Sequence, residues 1–278
     1  MASLNTLNSV LEDDSIELEL SGSILNLWLN RPDSRNAMSL NMVKSIMNVF
    51  NAIAEDTSIR AVVFRGKGSH FCAGGDIKDM AAIRAEAASL GSQKPYIDFN
   101  RTFGAMIELV DQAPQTVVAI LEGAVLGGGF GLACISDVAI AHQDAQFGLP
   151  ETGLGILPAQ IAPFVVKRVG LTQARRLALL GAKFDGKKAL QFGVIHELAE
   201  NSVELESLIT TAIEHIKRAA PQASRVTKAL LHRASSNESL SALLDDAAAQ
   251  FANAVNSAEG LEGTMAFIQK RKPSWVGE

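Results

Sequence analysis

The sequence predicts an α/β fold with a helical C-terminal region, and three observations predict it. Two apolar, β-branched runs, Ala61-Val62-Val63-Phe64-Arg65 and Val117-Val118-Ala119-Ile120-Leu121, have the length and composition of buried strands. Each leads into a glycine turn that opens a helical pattern: Phe71-Cys72-Ala73-Gly74-Gly75-Asp76-Ile77 after the first, and Gly127-Gly128-Gly129-Phe130-Gly131-Leu132 after the second. The last hundred residues are almost wholly helical in period. Strands alternating with helices across such turns indicate a repeated ββα arrangement.

Taken in order, residues 1–14 read as irregular or disordered. Ile16-Glu17-Leu18-Glu19-Leu20 and Ile24-Leu25-Asn26-Leu27-Trp28-Leu29 alternate as an antiparallel pair joined at Ser21-Gly22-Ser23. Apolar positions from Leu40 to Ala54 keep helical spacing behind a candidate N-cap, Ser39. After strand 61–65, the stretch from Ile77 to Val110 is helical but interrupted at Gly91-Ser92-Gln93-Lys94-Pro95, which predicts two helices with a loose connection beside the donor turn. Asp137-Val138-Ala139-Ile140-Ala141 reads as a strand, and Ala145 to Glu151 returns the chain past the glycine turn. Beyond it, helices are predicted at 161–180, 186–192, 203–219, 222–233, 239–254 and 257–270, with a strand only at Val194-Ile195-His196. No linker marks a firm division, so one globular unit with a helical tail from about residue 200 is expected.

With 278 residues and 47% hydrophobic content, the chain can bury a sizeable core. Its net charge of −5 argues against a nucleic-acid face or a basic membrane patch, since both need clustered Lys and Arg. Cys72 and Cys134 form no metal or redox pair and suggest a reducing compartment. No run reaches the roughly 18–20 apolar residues that span a bilayer, and residues before Arg31 lack the basic character of a leader, so a cytoplasmic protein is expected. The five histidines have no ligand spacing, and no metal site is expected. A dinucleotide fingerprint fails because Leu132 replaces the third glycine.

The chemistry is concentrated at the two turns. A glycine turn at a helix start leaves backbone N–H groups without intrahelical acceptors and lets an anion approach. Two such donors from two turns would make an oxyanion hole for charge developing on a carbonyl oxygen. Glu151, behind Leu149-Pro150 and ahead of the apolar Gly153-Leu154-Gly155-Ile156-Leu157-Pro158, is the candidate proton carrier. The flanking residues predict a dry wall that would raise its pKa.

These turns, taken with Leu29-Asn30-Arg31-Pro32-Asp33-Ser34-Arg35-Asn36-Ala37 and Phe267-Ile268-Gln269-Lys270-Arg271-Lys272-Pro273, resemble the enoyl-CoA hydratase/isomerase (crotonase) family over roughly residues 15–275. The resemblance implies a crotonase-like ββα spiral core at 15–200 and a helical trimerisation region at 201–278. It implies an acyl-CoA thioester substrate whose carbonyl is held by Gly75 and Gly128 while Glu151 transfers a proton, and no cofactor apart from the coenzyme A of the substrate. Asn36, Ala73, Ile77, Lys78, Phe267 and Lys270 match coenzyme A-contacting positions, and a homotrimer or dimer of trimers is implied.

One position departs from the family. Its two-carboxylate hydratases carry a first Glu two residues after the third glycine, where this chain has Gly131. Glu122 and Asp137 are the nearest carboxylates, expected at a strand end and in a structural role at a strand start. The segment from Pro158 to Lys167 is similar to hydratases of branched glutaconyl-CoA substrates (methylglutaconyl- and isohexenylglutaconyl-CoA), some of which also have Gly at this position. A hydratase is therefore the leading expectation. A Δ3,Δ2-enoyl-CoA isomerase, which needs one carboxylate, and an inert acyl-CoA- or RNA-binding relative are the alternatives.

Overall fold

A computed structural model of the chain describes residues 3–277. Structure begins before the first strand. Helix α1 (Leu4–Asn8) is capped by the Ser3 hydroxyl, which accepts from the Thr6 amide, and buries Leu7 completely. The expectation of an irregular N-terminus is thus corrected for residues 4–8, since one buried leucine and one N-cap suffice to fix a single turn of helix. Met1 and Ala2, covered by that expectation, lie outside the described residues.

Six strands make the main sheet, in the order β1 (Ile16–Ser21), β2 (Ile24–Leu29), β3 (Ala61–Gly66), β4 (Thr116–Leu121), β6 (Val138–His142) and β8 (Glu197–Ala199). Only β1 and β2 are antiparallel; the rest run parallel, with Ala61 opposite Thr116 and Val118 opposite Val138. Buried on both faces, β3 and β4 are continuous apolar runs, as parallel strands tend to be. The final strand lies at 197–199 rather than 194–196. Val194 and Ile195 are instead fully enclosed core residues, so the apolar signal came from the approach to the strand.

The alternating side chains of the sheet serve two cores. Val62, Phe64, Val117, Ala119 and Leu121 face a large cluster with helix α2 (Leu40–Ile53) and the helices over the site. Ala61, Val63, Val118 and Ile120 face Leu205 and Ile209 of α8 (Ser202–Arg218). The helical tail therefore begins with a helix that packs on the sheet.

A second layer was not legible as strands. Short parallel segments β5 (Ala124–Leu126) and β7 (Gln146–Gly148) pair with each other, and isolated bridges continue them: Met38 to Gly75, Cys72 to Val125, and Phe147 to Phe184. Each long strand is thus followed by a short segment of this layer and, in most units, a helix, which is the repeated ββα unit. The helices that follow are α3 (Ile77–Leu90), α4 (Lys94–Asp111), α5 (Gly128–Ile135), α6 (Ala162–Leu180), α7 (Gly186–Gln191), α9 (Pro221–Ala234), α10 (Leu240–Asn256) and α11 (Ala258–Ile268). The second layer carries the site.

Candidate functional site

The two glycine turns interlock. Cys72 donates its N–H to Ala124 O at 2.8 Å and accepts from Leu126 N at 2.9 Å, while Phe71 N donates to Glu122 O at 2.8 Å. A Cβ on Gly129 would lie 2.6 Å from that of Cys72, so only glycine lets the turns close this far.

Each turn carries one N–H that its own ladder or helix does not use. Gly74 O accepts from Met38 N at 2.8 Å and Asp76 N donates to Met38 O at 3.0 Å. In a parallel ladder the residue between those bonds points its own N–H the other way, and this residue is Gly75. Gly128 is the first residue of α5, so its N–H has no intrahelical acceptor. A Cβ on Gly75 would meet nothing within 4 Å, whereas one on Gly128 would lie 3.1 Å from Phe103 Cζ and 3.6 Å from Met38 Cε. Phe103 and Met38 thus pack against the start of α5 at Gly128.

Behind the Gly75 donor, Asp76 caps α3, accepting from Lys78 N at 2.7 Å and from Arg31 Nη2 at 2.6 Å. Burial works against its ionised form, but those two donors overcome it and hold the carboxyl below its usual range. Behind the Gly128 donor, Arg168 of α6 reaches the other end of α5 and donates to Cys134 O at 2.9 Å, Ala133 O at 3.0 Å and Ser136 O. A cation on C-terminal carbonyls is the favourable polarity for a helix whose N-terminus must bind negative charge.

Glu151 begins a 3-10 turn, Glu151–Leu154, after Pro150. Its Oε1 would be 3.0 Å from a Cβ on Gly127, which has φ 52, so glycine there both makes the turn and admits the carboxylate beside the start of α5. The other oxygen, Oε2, is buried without a hydrogen-bond partner in the described structure, and burial pushes the carboxyl above its usual range. The drying does not come from the expected wall. Leu154 and Leu157 are 71% and 75% exposed, because the 3-10 turn carries them outward, and the enclosure is supplied by the glycine turn.

Helix α5 itself carries no carboxylate. A Cβ on Gly131 would overlap Ile161 Cγ2, lie 3.1 Å from Ile161 Cβ and 3.6 Å from Ile107 Cδ1. Glu122 contributes a turn carbonyl, and Asp137 has its expected structural role: Oδ2 accepts from Val117 N at 2.7 Å and Lys228 Nζ at 2.6 Å.

The residues matched to coenzyme A contacts fall in three places. Ala73, Ile77 and Lys78 border the Gly75 donor, with Ile77 and Lys78 exposed. Asn36 is fully buried and its amide is committed: Oδ1 accepts from Arg31 N at 2.8 Å, and Nδ2 donates to Lys67 O at 2.9 Å and His70 O at 2.6 Å. That side chain shapes the turn, and a ligand could be met from this position only by main chain. Phe267 and Lys270 sit at the end of α11, which packs on α10; Phe267 is 85% exposed.

Sequence reasoning passed over Phe103 and took in Arg31, Gln160 and Ile161 only as members of longer motifs, with no role of their own. A signal existed in the helix-interior glycines Gly104 and Gly131, each of which makes room for a side chain distant in sequence. Among the described residues there is no group of three or more His, Cys, Asp or Glu able to hold a metal, and no helix is long and apolar enough to cross a membrane.

Comparison with known proteins gives a concordant result. Residues 19–278 match the family model described as enoyl-CoA hydratase/isomerase. The chain is 58% identical to the solved structure of Pseudomonas aeruginosa AtuE, over 94% of this chain and 99% of that one, with a TM-score of 0.91. It is 32% identical to 2,3-dehydroadipyl-CoA hydratase of Escherichia coli (91% of this chain, 95% of the relative). It is 29% identical to human mitochondrial methylglutaconyl-CoA hydratase, covering 94% of this chain and 76% of the relative.

Proposed function

The chain belongs to the enoyl-CoA hydratase/isomerase family, as an enoyl-CoA hydratase, and we propose that it adds water to a branched, glutaconyl-like 2-enoyl-CoA with Glu151 as its one acid/base group. The thioester oxygen accepts from the N–H groups of Gly75 and Gly128. Ionised Glu151 takes a proton from water as the water oxygen bonds to C3. The C2–C3 π electrons move towards C1, and the charge gathers on the thioester oxygen between the two donors. The same carboxyl then returns the proton to C2, which delivers both parts of water to one face and leaves a 3-hydroxyacyl-CoA. Coenzyme A enters as part of the substrate, along Ala73, Ile77 and Lys78, and no resident cofactor is required. The working assembly is a homotrimer or dimer of trimers.

One observation carries this reading: Glu151 Oε1 lies against Gly127, the residue before Gly128, while isoleucine fills the space a side chain at 131 would need. The names of two relatives support an acidic acyl group, since dehydroadipyl and methylglutaconyl thioesters both carry a second carboxylate. The lone carboxylate also supports a second reading, a Δ3,Δ2-enoyl-CoA isomerase that moves one proton between C2 and C4. Incubation with crotonyl-, 3-methylglutaconyl- and 3-hexenoyl-CoA separates them. Loss of conjugated thioester absorbance with either of the first two supports hydration; a gain with 3-hexenoyl-CoA and no loss with the others replaces it by isomerisation.

A further inference from the structure

Two glycines inside helices make room for consecutive residues of one segment. A Cβ on Gly131 in α5 would overlap Ile161, and one on Gly104 in α4 would overlap Gln160 Oε1 and lie 2.7 Å from Gln160 Cδ. A helix-interior glycine costs about 0.5–1 kcal/mol relative to alanine, so two of them seating neighbouring side chains mark a placement held against local propensity. Ile161 is apolar and buried, but Gln160 is not an obvious filler. Its Nε2 donates to Asn100 Oδ1 at 2.8 Å, which leaves the Asn100 amide hydrogens free to donate. Arg101 stands beside the pair, with Nη1 3.0 Å from the same Gly104 Cβ position and Nη2 on Glu108 Oε2 at 2.8 Å.

Asn100, Phe103, Gly104 and Ile107 share one face of α4, by their three- and four-residue spacing. The Phe103 ring would touch a Cβ on Gly128, and Asn100 lies about one helical turn, roughly 5 Å along α4, from Phe103. The polar groups gathered at that turn are neutral amides and one guanidinium.

We propose that Asn100 and Gln160, with Arg101 beside them, form a subsite for a carboxylate at the far end of the acyl chain. This rests on the reading that the thioester oxygen sits between Gly75 and Gly128. It gives individual roles to Asn100, Arg101 and Gln160, and it gives Gly104 a purpose.

The test uses two saturated thioesters of equal chain length, glutaryl-CoA and valeryl-CoA, bound to the full chain and measured by calorimetry. Neither can be hydrated, so the result is independent of the reaction, and failure of the hydration assay is a separate outcome. The native protein should bind glutaryl-CoA at least about tenfold more tightly, as a hydrogen-bonded charge allows. Gln160→Met and Asn100→Leu should each bring that ratio close to unity with valeryl-CoA affinity unchanged. Asn100→Asp, nearly isosteric at a half-buried position of α4, should invert it by like-charge repulsion and serves if the others misfold. No preference in the native protein, a preference that survives these variants, or an equal fall for both ligands overturns the proposal.

Discussion

Glu151 is held where ionisation is unfavourable, with one oxygen against Gly127 and the other buried without a partner. Because burial raises its pKa, the base form needed for hydration is lost at higher pH than for a solvated carboxylate, and kcat/KM should fall on acidification through that raised value. The same shift bears on stability. A carboxyl whose folded pKa exceeds its unfolded value favours the fold fully below the unfolded pKa, and that contribution disappears as pH rises through the folded value. Glu151→Gln should therefore lower turnover by roughly 10²–10⁴ with little change in acyl-CoA affinity. It should also raise Tm at neutral pH and lose that advantage in acid. Near-normal turnover would move the proton-transfer role elsewhere, and a lower neutral Tm would contradict the desolvation account. Gly131 permits a second test. Gly131→Glu would seem to restore a family carboxylate, but it drives a side chain into Ile161 and should destabilise the fold by about 1–3 kcal/mol. Gly131→Glu with Ile161→Ala should recover Tm and speed crotonyl-CoA hydration; if the single variant folds as well as the native chain, Ile161 is not the obstacle.

At the scale of elements, the donor helix α5 is fixed at both ends, by the Cys72–Gly129 approach at its start and by Arg168 on its last carbonyls. Arg168→Met leaves those carbonyls without their charged donor and should cost about 3 kcal/mol, read as a lower Tm. Turnover should fall with it, because the Gly128 N–H is aimed by the helix it begins. The donors are tested at Gly75, where a Cβ meets open space: Gly75→Ala should keep the fold, whereas Gly75→Pro removes the N–H and should slow catalysis by roughly 10²–10³. Unchanged turnover in a folded proline variant would exclude this oxyanion hole. Both turns were legible because glycine clusters between an apolar run and a helical pattern are local signals. The segments β5 and β7, three residues each, were not, since three residues carry no periodicity and their pairing is set by tertiary contact. Nor could Asn36 be placed: its motif drew attention to a ligand, while its buried amide serves the turn. Ile161 and Gln160 escaped because their partners, Gly131 and Gly104, are distant in sequence.

For the whole molecule, exposed apolar side chains include two groups that the single chain leaves uncovered. Phe251, Leu261, Met265, Phe267 and Ile268 are exposed on α10 and α11, while Leu149, Pro158, Val165, Leu171 and Leu179 line an open apolar groove beside the Glu151 turn. Surfaces of this kind on one chain mark association, and closed cyclic symmetry is the common solution. Phe267 and Lys270 lie at the end of α11, so their matched role at coenzyme A is best met across such an interface. Light scattering at micromolar concentration should show a trimer or a multiple of it. Leu261→Glu, which sets a charge in that face, should shift the protein towards monomer. If Phe267 and Lys270 complete a neighbour's site, the monomer should show a higher KM for acyl-CoA while kcat at saturation holds, because Gly75, Gly128 and Glu151 all belong to one chain. A native monomer of full activity would remove both the assembly and the shared site.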